Sequence, residues 1–264
     1  MQILVCVKQV PGTTQVEVDP VTGVLRRDGV ASKLNPYDLY AVELALSLTQ
    51  QHGGQVRVVT MGPPQAQEAV LETVYMGAAG GALVTDRRFA GADVLATAYT
   101  LSQAIRRMGE FDLILCGKQT TDGDTAQVGA EISEFLGLPL AGNVLEVREV
   151  TPTTITVVSS LDSHLATLRL PLPCLLCTEG DINTPRLPSY KRKKAVDRSA
   201  VLEVLTLADL PDQDPSHYGL TGSPTQVERI FPPQKTGEKE LLTGSGPQLA
   251  YRLYDILRQK KFID

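Results

Sequence analysis

Over the first 137 positions, short apolar runs alternate with longer amphipathic stretches. Ile3-Leu4-Val5-Cys6-Val7 and Leu113-Ile114-Leu115-Cys116 are apolar throughout, and Val56 to Met61 and Ala82-Leu83-Val84 nearly so. Short runs without polar alternation predict strands covered on both faces, as in parallel sheets. Between them, Asp38 to Gln50 carries Leu39, Val42, Leu46 and Leu48 at helical spacing. Gln65 to Tyr75, Asp93 to Met108 and Asp124 to Leu136 predict further helices, with Met76-Gly77 and Gly137 as stop signals. Strand–helix alternation requires crossover connections, which are right-handed in nearly all cases. The expected fold class is therefore α/β. It is an open, mostly parallel sheet with helices on both faces. Ligands of such sheets bind outside the carboxyl ends of the strands, which directs attention to the loops after Val7, Met61, Val84 and Cys116.

From Val144 the pattern changes. Val144 to Val147, Thr153 to Ser159 and Leu165 to Leu170 predict short strands close in sequence, an antiparallel extension of the sheet. A basic stretch, Arg186 to Arg198, follows. Beyond Pro211 the chain is rich in Pro, Gly and Ser and reads as an arm. Helical periodicity returns from Pro247 to Phe262 through Leu249, Leu253, Ile256 and Leu257. The expected organisation is an α/β domain over 1–210 and a C-terminal arm and helix over 211–264, the helix docking on another protein.

A formal net charge of −5 over 264 residues argues against a general nucleic-acid binder, since phosphate contacts need a basic surface. No apolar run approaches 18 residues, so no membrane span is expected, and the start of the chain predicts no signal peptide. Cys6, Cys116, Cys174 and Cys177 lie in apolar runs, where a free thiol behaves as a small hydrophobe. These features predict a cytoplasmic protein. Cys174-Leu175-Leu176-Cys177 resembles a metal or redox CxxC, but neither a second CxxC nor a histidine lies at usable spacing, so core packing is the expected role. His52, His164 and His217 form no triad or metal set, and no catalytic residue or metal ligand is expected.

The segment richest in chemistry is Cys116-Gly117-Lys118-Gln119-Thr120-Thr121-Asp122-Gly123-Asp124-Thr125-Ala126-Gln127-Val128-Gly129. It leaves an apolar run and opens a helix. Gly117 and Gly123 permit close backbone approach and unusual dihedrals, Asp124 or Thr125 is a plausible N-cap, and amides at a helix start suit a phosphate. Neither GxGxxG nor GxxxxGK[ST] is present. The alternative is an ordinary capped turn.

This segment resembles the adenine-nucleotide loop of electron-transfer flavoprotein beta subunits, Gly-(Lys/Arg)-Gln-x-x-Asp-x-Asp-x-x-Gln-x-Gly. Val5-Cys6-Val7-Lys8-Gln9-Val10-Pro11, Asn35-Pro36-Tyr37-Asp38, Met61-Gly62-Pro63 and Asn183-Thr184-Pro185-Arg186 resemble further marks of that family in order and spacing. The resemblance implies an adenine-nucleotide-binding, Rossmann-like sheet with a pocket lined by Cys6, Asn35, Pro36, Tyr37, Asp38, Met61 and the loop from Gln119 to Ala130. Read by themselves, Asn35 suits an adenine edge or a helix cap, and Asp38 suits a helix dipole. The resemblance also implies a larger alpha-subunit partner and a docking site for a flavin-dependent dehydrogenase near Tyr190, Lys191, Arg192, Lys193 and Lys194. Tyr190 is the expected apolar anchor.

Asp19-Pro20-Val21-Thr22-Gly23, Arg26-Arg27-Asp28-Gly29, Gly91-Ala92-Asp93 with Ala96-Thr97, and Ser223-Pro224-Thr225-Gln226-Val227 resemble the electron-bifurcating branch. That likeness implies FAD in the pocket, with Asp93 and Thr97 added to it. It also implies hydride from NADH (NAD as transient substrate) and ferredoxin or flavodoxin as a low-potential acceptor. By itself the 19–29 stretch predicts a hairpin with a Thr-Gly turn. The alternatives are a simple electron carrier with AMP held structurally, and a stand-alone ATP-binding stress-type protein.

Overall fold

The apolar runs form the strands expected of them. In a computed structural model describing residues 1–12, 17–18, 25–26, 32–227 and 240–263, the elements in order are β1 (Gln2–Cys6), β2 (Gln9–Pro11), β3 (Glu17–Val18), β4 (Leu25–Arg26), β5 (Ser32–Leu34), α1 (Pro36–His52), β6 (Gln55–Met61), α2 (Gln67–Met76), β7 (Gly80–Val84), α3 (Val94–Met108), β8 (Leu113–Gly117) and α4 (Val128–Leu136). There follow β9 (Leu140–Val150), β10 (Thr154–Ser160), β11 (Leu165–Pro171), β12 (Cys174–Thr178), α5 (Tyr190–Ala195), α6 (Arg198–Val201), β13 (Leu202–Leu205) and α7 (Gly246–Gln259). The expected Thr-Gly turn and the bifurcating-type marks over 19–24 and 27–29 lie outside the described residues. β3 and β4 on either side pair antiparallel.

Nine strands make one sheet in the order β11-β10-β9-β12-β8-β1-β6-β7-β13. From β9 to β13 every neighbouring pair is parallel, while β10 joins β9 and β11 antiparallel, giving the expected extension. The chain moves outward from β1 through β6 and β7, then returns to lay β8 on the other side of β1. That reversal opens a crevice between the carboxyl ends of β1 and β8.

Alternation along each strand divides the core into two layers. Ile3, Val5, Leu113 and Leu115 pack with Ala41, Val42 and Ala45 of α1 and Val70 of α2. Leu4, Cys6, Ile114 and Cys116 pack with Ala98, Leu101 and Ile105 of α3 and Ile132 of α4. Both layers exclude water almost completely, so the strand ends stand on a rigid base.

Three features differ from the sequence expectation. β12 inserts between β8 and β9, so the CxxC run is a strand in its own right, with Cys174 in one layer and Cys177 in the other. Thiols on opposite faces of a strand cannot share a metal. β13, which carries a polar residue, closes the far edge, where Glu203 meets Arg57 at 3.3 Å and Arg107 at 3.7 Å. Finally, α4 begins at Val128 and not at Asp124, because Asp124 and Ala126 both adopt φ of 55°, which a right-handed helix cannot contain.

The chain divides into two units, Met1–Glu228 and Arg229–Asp264. Within the first, packing continues past residue 210. Tyr218 is fully buried beside Phe89 and Tyr99, with ring centroids 5.4 and 5.5 Å away, and its hydroxyl donates to the Asp212 carbonyl at 2.5 Å. The Asp212 carboxylate in turn accepts from the Tyr99 hydroxyl at 2.5 Å and takes His217 Nδ1 at 2.6 Å. In the second unit, α7 opens on a Ser245–Gln248 capping box with Pro247 in its first turn. Its Tyr251, Leu253 and Tyr254 are exposed.

Replacing Tyr218 by Ala removes a fully buried ring from this layer. It should cost about 3–5 kcal/mol, read as a lower denaturant midpoint at unchanged slope.

Candidate nucleotide-binding site

The crevice at the sheet reversal is organised by two buried polar side chains at the start of α1. Asn35 is fully buried in the N-cap position, yet its side chain does not cap α1. Its Nδ2 donates to Asp38 Oδ1 at 2.9 Å and to the Gln119 carbonyl at 2.9 Å, while its Oδ1 accepts from the Thr121 N–H at 3.3 Å. Its own N–H donates to the Lys8 carbonyl at 2.9 Å. Asn35 thus joins the exit of β1, the start of α1 and the loop after β8.

Asp38, also buried, accepts from the Lys8 N–H at 2.7 Å and from Asn35. Burial pushes its carboxyl up to about 7, against the pull of these donors, the Gly117 amide and the Lys8 charge. The carboxylate occupies the space a side chain at Gly117 would need. An ideal Cβ there would stand 2.5 Å from Asp38 Oδ1 and 2.7 Å from the Tyr37 carbonyl carbon. Gly117 is therefore fixed by close approach, as expected. Gly123 is not: an added Cβ meets only Thr120 Oγ1, at 3.6 Å, and the unusual dihedrals fall on Asp124 and Ala126 instead.

The loop itself is held at both ends. The Lys118 N–H donates to the Thr178 carbonyl at 2.9 Å and its Nζ pairs with Glu179 at 2.6 Å, tying the exit of β8 to that of β12. Gln119 Nε2 bonds Asp124 Oδ1 at 2.6 Å and reaches the Tyr37 hydroxyl at 3.4 Å. Across the crevice, Lys8 Nζ meets Asp122 Oδ1 at 2.8 Å. Residues 121–127 are exposed, and α4 then starts at Val128 with no side chain capping it, neither Asp124 nor Thr125 serving as expected. The first amides of a helix without such a cap are free donors beside the positive end of its dipole. Gly129 lets this helix start lie on the sheet, since a Cβ there would stand 2.5 Å from Cys177 Sγ. Beneath it Cys6, Cys116 and Cys177 form a row in register across β1, β8 and β12. Contact with Cys177 lowers the Cys116 thiol, but contact with Cys6 and burial outweigh it and keep that thiol protonated.

Met61 ends β6, the strand beside β1. Asp93 caps α3, its Oδ1 accepting from Ala96 at 3.0 Å, while its Oδ2 takes the N–H and hydroxyl of Thr225 at 3.0 and 2.7 Å. Thr97 lies half-buried one turn further on. Facing them is Glu131 of α4, whose buried Oε2 has no hydrogen-bond partner; burial and then the Asp93 charge raise its pKa. Sequence reasoning missed Glu131, and nothing in its spacing distinguishes it from a helix-start carboxylate. The basic residues lie elsewhere. The Ser189 N–H donates to the carbonyl of Tyr75, near the end of α2, which puts α5 with Tyr190, Lys191, Arg192, Lys193 and Lys194 towards the amino edge of the sheet. There Leu187 is 88% exposed against 72% for Tyr190, whose ring lies 5.5 Å from Lys194 Nζ. Leu187 is thus the more exposed apolar side chain here, overlooked because Pro188 and Ser189 separate it from the basic run.

Comparison with known proteins places this geometry in a lineage. The profile for "Electron transfer flavoprotein domain" matches residues 22–209. The chain belongs to that family. It is 40% identical to "Electron transfer flavoprotein subunit beta" of Thermoanaerobacterium thermosaccharolyticum over the whole of both chains. It is 39% identical to "Caffeyl-CoA reductase-Etf complex subunit CarD" of Acetobacterium woodii, again over both full lengths. It is 42% identical to "Protein FixA" of Azorhizobium caulinodans, over 90% of this chain and 87% of that one. The chain is thus of the electron transfer flavoprotein beta-subunit type, which implies flavin involvement and an alpha-subunit partner. The stand-alone ATP-binding alternative falls away. Among the described residues no helix is long and apolar enough to cross a membrane.

Asp38 gives the site a pH signature. Its pKa is raised from 3.8 in the unfolded chain to about 7. The stability that favours its protonated form is fully present below the unfolded value and is lost as pH rises through 7. Denaturant titrations should show the native chain losing on the order of 3 kcal/mol relative to Asp38→Asn between pH 4 and 8.

Proposed function

We propose that this chain is the FAD-holding small subunit of an electron-bifurcating flavoprotein. In this reading it accepts hydride from NADH and passes electrons to a flavin-dependent dehydrogenase and to ferredoxin or flavodoxin. The observation that carries the nucleotide reading is the helix start at the sheet reversal, where α4 opens without a side-chain cap behind an exposed loop whose residues 124 and 126 have positive φ. Amides so arranged suit the pyrophosphate of a dinucleotide, and the small side at Gly123 leaves its backbone approachable. Cys6, Pro36, Tyr37, Met61 and the loop from Gln119 to Ala130 border that crevice and supply its walls. Asn35 and Asp38 act from behind, fixing the walls.

The choice of FAD over AMP is favoured by a second contact. Asp93 and Thr225, from two stretches that resemble the bifurcating branch, are joined by two hydrogen bonds, and the Asp93 N–H donates to Ser223 Oγ at 2.8 Å. The start of α3 and the 223–225 segment thus form one wall at the same carboxyl edge, with Thr97 beside it, in a position to receive a ligand longer than AMP. FAD supplies the hydride and single-electron chemistry; the protein supplies position, exclusion of water and fixed charge. On the opposite edge, Leu187 and Tyr190 present exposed apolar side chains beside Lys191 to Lys194, a surface suited to an acidic dehydrogenase partner. The exposed face of α7 is the natural seat for the alpha subunit.

Two measurements test this. The purified heterodimer should carry two flavins, and anaerobic NADH titration should bleach both; Gly123→Val should lose one flavin at unchanged fold. One flavin together with AMP, and no response to NADH, would instead identify a simple carrier. Neutralising Lys193 and Lys194 should slow electron delivery to the dehydrogenase at low salt about tenfold, leaving dye-linked NADH oxidation intact.

A further inference from the structure

Among the described residues, the Lys8–Asp122 pair is the one contact in which a side chain from the β1 exit reaches the loop after β8 across the crevice. Lys8 Nζ and Asp122 Oδ1 are 2.8 Å apart, with 43% and 22% of the respective side chains exposed. The backbone of Lys8 cannot move to choose this partner, because its N–H is bound to Asp38 and its carbonyl to Asn35. Only the flexible stem of the lysine is free to swing. Asp122 is better held than a surface carboxylate. Burial raises its pKa, but the Lys8 hydrogen bond and charge, the Thr120 hydroxyl and the Gly123 amide outweigh this and keep it ionised. The Lys8 ammonium donates to this carboxylate and the Gly123 amide to Thr120 Oγ1 at 3.4 Å, so an ammonium, a hydroxyl and a backbone amide lie together in an exposed loop before a helix start. They are the donor types a phosphate takes.

We propose that Asp122 is an internal stand-in for phosphate: its carboxylate and an incoming nucleotide phosphate are alternative partners of Lys8, and binding requires Lys8 to change from one to the other. This rests on the nucleotide reading given above and adds a residue, Lys8, and a competition that tunes affinity. A carboxylate carries one negative charge and a pyrophosphate more, so the exchange favours the ligand while setting a threshold below which the loop holds itself. The device uses only a half-exposed ion pair, so the threshold is low.

The competition predicts opposite signs for the two partners. With the full chain co-expressed with its alpha subunit and freed of bound nucleotide, affinities for AMP and for FAD are measured by calorimetry. Lys8→Ala should weaken both about tenfold. Asp122→Asn should strengthen both by about two- to fivefold, the range of a half-exposed ion pair. In the Lys8→Ala background Asp122→Asn should change nothing. If Asp122→Asn weakens binding as Lys8→Ala does, Asp122 contacts the ligand or scaffolds the loop, and the competition is wrong. If Lys8→Ala leaves affinity unchanged while Gly123→Val abolishes it, the site stands and the role of Lys8 falls. If native chain and variants alike bind neither nucleotide, the nucleotide reading fails and takes the competition with it.

Discussion

Everything at the crevice depends on a carboxylate and an amide buried at the start of α1. Asn35 and Asp38 take hydrogen bonds from, or give them to, the exit of β1 and the loop after β8. A buried polar group left unpaired costs about 1–3 kcal/mol, so these groups specify one arrangement of three chain segments. Apolar packing could not do this, since residues 119–127 contribute almost nothing to either core layer. The loop is positioned by polar contacts and the sheet beneath it by apolar ones. The two kinds of order meet at Gly117, where the Asp38 carboxylate fills the space that any side chain would claim.

Much of this was legible in the sequence. Ile3 to Val7 and Leu113 to Cys116 could only be central strands, because nothing else buries five or four successive apolar residues on both faces so economically. Their order in the chain implied a crevice at their carboxyl ends. Less could be read where local signals competed. Cys174 to Cys177 read as core packing, but four residues with two cysteines did not announce a strand of their own. Leu202 to Leu205 was masked by Glu203, whose charge is met by two arginines from distant elements. The start of α4 was set by left-handed backbone at Asp124 and Ala126, residues whose types do not announce it.

The candidate site was legible as a set but not in its roles. The family resemblance drew Asn35 and Asp38 into one group with the loop, and the fold brings them to one place. Spacing could not tell a wall from the fastening behind it. By type Asn35 suits an adenine contact or a helix cap; its side chain bonds Gln119, Thr121 and Asp38 and does not cap α1. Such roles follow from which direction a side chain leaves the backbone, and only the packed chain fixes that. Leu187 was overlooked for a related reason: exposure is a property of the fold, and a leucine between arginine and proline carries no sign of it.

The placement of α5 has its own consequence. The segment that leaves β12 at the carboxyl edge passes over α1, where Arg186 grips Glu43 through its N–H, Nε and Nη2 at 3.0, 2.7 and 2.8 Å, and delivers α5 beside the end of α2. A five-residue strand spans about 17 Å, so a visitor gripping α5 and a nucleotide in the crevice are kept apart by the height of the sheet. On the reading proposed above, neither would block the other's entrance, and the sheet would serve as a two-ended platform whose occupants do not meet.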